Sequence, residues 1–165
     1  MFSQDFPTLL DEYWDGPAFD VIEHHDLDLE YYPDWKGVWD NIEPDAAGRL
    51  GAFAQEGTGG MICVWTYDDQ DVMEAPVVHL GSEGECVVLA ANIGEFLAMN
   101  ALGWGPFALA DREESPWSDQ PPHEEGLEFL AARGITPPES VPDAIRAATD
   151  SHPDFEEWVY ARLTD

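Results

Sequence analysis

The chain has 165 residues with six Lys or Arg against thirty-five Asp or Glu, a formal net charge of -29 with histidine neutral. A 44% hydrophobic and 12% aromatic content excludes a disordered acidic tail and predicts one domain able to bury a core. So few cations cannot form a basic stripe, which excludes nucleic acid and an anionic membrane surface as partners. A basic protein partner, metal cations, or a need for solubility in high salt remain.

No run approaches eighteen apolar residues, so no membrane-spanning helix is expected. The start, Met1-Phe2-Ser3-Gln4-Asp5, lacks the basic leader and apolar run of a secretory signal, and a cytoplasmic location is expected. Cys63 and Cys86 make no CxxC pair. They read as two buried thiols, with a cross-strand disulfide as the alternative, since both lie in expected strands.

In chain order, Leu9, Leu10, Tyr13 and Trp14 sit at helical spacing before Gly16-Pro17. Leu27, Leu29 and Tyr31 alternate with acids, which predicts a strand with one wet face. Leu50–Ala54 is apolar and stops at Gly57-Thr58-Gly59-Gly60, which reads as a hairpin turn. Met61–Tyr67 is rich in strand formers, and Asp68-Asp69-Gln70-Asp71 makes a polar turn. Pro76–Leu80 and Cys86–Ala90 are two more strands, separated by the Gly81-Ser82-Glu83-Gly84 turn. Short strands between Gly and Asp turns predict an antiparallel meander.

The remainder reads as helical. Asn92 with Glu95 three residues on is a capping signal, followed by Ile93, Phe96, Leu97 and Ala101 on one face and Gly103 as the stop. Residues 103–122 read as an ordered loop or linker. A helix is expected from about Glu124 to Arg133, with Leu127, Leu130 and Ala131 inward. Ser140-Val141-Pro142-Asp143 and Ser151-His152-Pro153-Asp154 each carry a start signal with proline in the first turn. Phe155, Trp158, Val159 and Leu163 then form a stripe. Strands first and helices after predict an α+β fold: an antiparallel sheet of about 4–6 strands with helices packed on it. The expected organisation is a core over residues 18–109 and a C-terminal helical extension over residues 123–165, within a single domain.

Few motifs carry chemistry. Gly81-Ser82-Glu83-Gly84 lacks the spacing of a nucleophile elbow, and the Gly57–Gly60 run has no following lysine for a phosphate. His123-Glu124-Glu125 lacks the second histidine of a zinc helix, and His24-His25 would point to opposite faces of a strand. No calcium-loop spacing surrounds Asp68, Asp69 and Asp71. No cofactor, no metal site and no catalytic residue is therefore expected. Trp65 and Trp158 fall in periodic elements and read as core, whereas Trp104 and Trp117 lie in turn-rich segments where an interface anchor can stand.

Phe53-Ala54-Gln55-Glu56-Gly57-Thr58-Gly59-Gly60, Met61–Tyr67 and Pro76-Val77-Val78-His79-Leu80-Gly81 resemble the SUKH superfamily, as do Asn92–Ala98 and Gly103-Trp104-Gly105-Pro106-Phe107. The resemblance spans about residues 48–109. It implies an α+β fold without catalysis and, for most bacterial members, an immunity protein that binds and neutralises a toxin. Many such toxins are nucleases with basic surfaces, which an acidic inhibitor can occupy. The expected function is a non-enzymatic acidic protein that blocks a basic protein, a toxin. Its contact surface would be Asp68, Asp69 and Asp71 with Glu113, Glu114 and Asp119, anchored by Trp104 or Trp117. Two alternatives stand: an acidic housekeeping or regulatory protein of a salt-adapted cell, consistent with Lys36 as the only lysine, and a hydrolase using a carboxylate pair.

Overall fold

A computed structural model describes residues 9, 12, 27–32, 41–105 and 121–164. Five strands, β1 (Leu27–Tyr32), β2 (Leu50–Glu56), β3 (Met61–Trp65), β4 (Val77–Leu80) and β5 (Cys86–Ala90), form one sheet in chain order. Every neighbouring pair is antiparallel, so the expected meander is present. Around it lie α1 (Pro44–Ala47), α2 (Ile93–Ala101), α3 (Glu124–Ala131), α4 (Val141–Asp150) and α5 (Phe155–Tyr160).

Glycine makes the tight connections possible. Gly59 has φ 97° in the β2–β3 turn and Gly84 has φ 102° in the β4–β5 turn, both in the left-handed region where a Cβ is strained. The register of β2 on β3 shifts between Ala52 and Ala54. The extra residue there is Phe53, which the bulge turns toward Phe96 of α2, edge to face at 5.8 Å.

Both faces of the sheet are covered. On one, Phe53, Ile62, Val64, Val77 and Leu89 pack with Phe96 and Leu97 of α2, Leu130 of α3 and Ile145 of α4. On the other, Leu50, Met61, Trp65, Val78 and Val88 pack with Ala46 of α1, Ala148 of α4 and Phe155 and Val159 of α5. This explains why β3 and β4 are buried at every position and read as unbroken apolar runs. Helix α4 lies along β5 and feeds both cores, one through Ile145 and one through Ala148. Leu163, beyond α5, closes back on Ile42 through an isolated antiparallel bridge.

Helix ends follow local chemistry. Asn92 Oδ1 accepts the Glu95 amide at 2.9 Å, while Glu95 Oε1 accepts the Ala91 amide at 3.0 Å. The far end of α2 is closed by Gly103 at φ 100°, with the Gly103 amide on Asn100 O and the Trp104 amide on Met99 O. Asn92→Ala is expected to lower stability by about 1 kcal/mol in urea denaturation, because an orphan donor of the first turn loses its acceptor. An unchanged midpoint would show that the cap contributes nothing.

Three expectations are corrected. The last helix does not start at Ser151: that hydroxyl donates to Ala147 O at 2.7 Å and closes α4, while Asp154 caps α5 by accepting the Glu157 amide at 2.9 Å. Helix α3 stops at Ala131, which is exposed, and its inward side is Gly126 and Leu130 with Leu127 half-buried. The disulfide alternative is excluded, and both thiols are free and buried. Strand β4 lies between Cys63 and Cys86. Two strand spacings are about 9–10 Å, beyond the roughly 4.4–6.8 Å that a disulfide spans between Cα atoms. Burial pushes the Cys63 thiol far up. Burial, with Glu156 and Glu85 nearby, raises Cys86 to about 12.

Candidate functional site

The β3–β4 connection carries three of the acidic residues expected to contact a partner. It is anchored from below, because Val72 and Ala75 are buried in the core that includes α2. Asp69 sits at φ 53°, a left-handed conformation that aspartate tolerates better than most residues. Its carboxylate is ion-paired with Arg49, whose Nη1 also donates to Thr66 O at 3.3 Å. Asp71 Oδ1 accepts the Met73 amide at 2.8 Å, and Asp71 O accepts the Glu74 amide at 2.9 Å. The Asp68 amide donates to Gln70 Oε1 at 2.8 Å. The loop is thus an ordered turn held by its own side chains. Asp68, Asp69 and Asp71 are all exposed, and Asp69 is already matched to a cation.

Trp104 is half-buried and packs against the same core as Val72 and Ala75. Its body is a core element, and its backbone amide completes the end of α2. Glu113, Glu114, Trp117 and Asp119 lie outside the described residues. Trp65 is fully buried and Trp158 half-buried, the core placement expected of both.

The cations are distributed in a way that local sequence does not reveal. Besides Arg49, Arg133 pairs with Glu12 at 2.6 Å and lies 3.5 Å over the Phe129 ring. Arg146 pairs with Asp143 at 2.9 Å, one turn away on α4. Arg162 stacks 4.4 Å over Trp158 and donates to its carbonyl. All four described arginines therefore have a partner within the chain. Exposed carboxylates, in contrast, recur along the chain: Asp45 on α1, Asp68 and Glu74 on the β3–β4 connection, Glu85 in the β4–β5 turn, Glu124 on α3 and Glu157 on α5. The surface field is negative, and in water it extends about one Debye length, roughly 8–10 Å at physiological salt.

A second feature has no signature in the local sequence. Tyr67 Oη lies 2.8 Å from His152 Nδ1, joining the end of β3 to the α4–α5 joint across 85 residues. The Tyr67 ring packs on Trp65 at 4.4 Å and meets the His152 ring edge-on at 5.7 Å. Burial lowers the basicity of His152, and burial followed by the Asp68 charge raises the Tyr67 phenol.

Among the described residues, no group of three or more His, Cys, Asp or Glu side chains is placed to hold a metal ion. No helix among them is long and apolar enough to cross a membrane. The chain matches no family model, no curated protein and no solved structure.

Proposed function

We propose that this chain is a non-enzymatic cytoplasmic binding protein whose anionic surface blocks a basic protein, as an immunity protein of SUKH type blocks its toxin. The observation behind this reading is the internal use of positive charge. Each described arginine is engaged at home, by a carboxylate or an aromatic ring, on a chain with a net charge of -29. Few cations are left over to repel a positive partner, while the carboxylates point a long-range field outward. A nuclease toxin fits this chemistry, because its own substrate-binding surface must be cationic.

The test is a pull-down from a lysate of the source cell, followed by stopped-flow association with the basic protein it recovers. The association rate is expected to fall by about tenfold or more between low and physiological salt, within the 10–10³ range of electrostatic steering. A flat salt response overturns the reading. Exposed carboxylates on α1, α3, α5 and the β4–β5 turn as well as on the β3–β4 connection favour a second reading in which the acids serve solubility in a salt-adapted cell. That reading expects strong thermal stabilisation by molar salt and no steered partner.

A further inference from the structure

We propose that the Tyr67–His152 hydrogen bond is a protonation-sensitive latch that holds the α4–α5 joint against the sheet and releases it in acid. His152 stands in the short connection between α4 and α5, just after the hydroxyl of Ser151 closes the first helix and just before Asp154 opens the second. Its partner is the first residue but one beyond β3, and the contact is part-buried. Below the latch, Phe155 and Trp158 of α5 pack on Trp65 at 4.7 and 5.3 Å. One hydrogen bond therefore lies across the seam by which the last helix is seated.

The chemistry of imidazole makes this bond pH-dependent. A neutral ring with its proton on Nε2 accepts the phenol proton at Nδ1. An imidazolium has no acceptor. It can only donate to the phenol oxygen, and it must do so as a cation in a part-buried setting that favours the neutral ring. The charged groups on the segments that meet at the latch are Asp150 and Asp154 on either side of His152, Asp68 and Asp69 on the β3–β4 connection with Asp69 paired to Arg49, Glu156 and Glu157 on α5, and Arg162 just beyond it. The displacement of His152 is downward and comes from burial, so these charges do not override it. The open form thus takes a proton more readily than the latched form. Above the ordinary histidine value of 6.5 both forms are neutral and the latch has its full strength. As the pH falls below 6.5, protonation favours the open form until the latched histidine titrates as well.

The experiment is an NMR titration of the His152 ring in the full chain, with amide exchange of residues 155–160 followed from pH 7.5 to 5.5. His152 is expected to titrate below 6.5. The α5 amides are expected to exchange about threefold or more faster at the acid end than intrinsic chemistry allows, while residues 61–65 stay protected. Tyr67→Phe keeps the ring and removes the hydroxyl. In it the His152 titration should move up toward 6.5, and α5 should exchange at neutral pH about as fast as the parent does in acid. A parent His152 that titrates at or above 6.5, or α5 protection that ignores pH, overturns the proposal. So does a folded Tyr67→Phe chain that leaves both readouts unchanged. If that variant does not fold, the parent titration and exchange decide by themselves.

Discussion

Trp65→Ala is expected to reduce the unfolding free energy by about 3–5 kcal/mol, the usual cost of emptying a large aromatic site in a packed core. Trp65 is fully buried at the end of β3. Its ring is the common neighbour of Tyr67 at 4.4 Å, Phe155 at 4.7 Å and Trp158 at 5.3 Å. Two of these belong to α5, and the Phe155 and Trp158 rings are themselves stacked, 16° from parallel. Alanine would remove the surface on which that helix sits, and backbone hydrogen bonding would prevent β3 from closing the void. A domain of this size is stable by only about 5–15 kcal/mol, so the loss is a large share of the total. Urea denaturation gives the value, and amide exchange in α5 locates it. Trp65→Phe should cost clearly less, since it keeps an aromatic ring and deletes an indole N–H that makes no hydrogen bond among the described residues. A cost below about 1 kcal/mol for alanine would mean that α5 is seated by something other than this ring.

Ile145→Ala should cost about 2–5 kcal/mol, and Ile145→Asp more, because the second buries an unpaired carboxylate. Ile145 is fully buried and, with Val141 and Ala148, forms the inward stripe of α4 at spacings of four and three residues. The opposite side of the helix carries the exposed Asp143–Arg146 pair, worth about 0–1 kcal/mol. The helix lies along β5, the last strand of the sheet. If α4 undocks, β5 presents a row of unpaired backbone groups at an apolar edge, a template for pairing with another chain. The expected result for Ile145→Asp is concentration-dependent self-association by light scattering. It should be stronger at high salt, where repulsion between the anionic chains is screened. Parent-like stability and size at all salt concentrations would show that α4 is dispensable to the sheet.

Much of the fold is legible in the sequence because its determinants are short-ranged. The strand at Met61–Trp65 follows from β-branched and aromatic residues between a glycine run and an aspartate run. The start of α2 follows from Asn92 and Glu95, three residues apart and bonded as their spacing demands. The misplaced start of α5 shows the limit of the same logic. Ser151 and Asp154 are both good capping residues, and two helix ends compete for the same short stretch. Ser151 is taken by the carbonyl of Ala147, a residue of the preceding helix, and the start passes to Asp154. The disulfide alternative failed for a related reason. Two strands can be recognised one at a time, but their separation depends on sheet order, and β4 comes between them.

Charge, element order and the glycine turns belong to the sequence by itself, since each depends on composition or on residues within a few positions. Which polar groups meet across the fold does not: Arg49 meets Asp69 across 20 residues, Arg133 meets Glu12 across 121, and Tyr67 meets His152 across 85. Those pairings, and the covering of both sheet faces by helices, exist only after distant segments have been brought together. Burial of apolar surface drives that closure, and because it has no direction of its own, no local spacing announces which polar groups it will leave side by side.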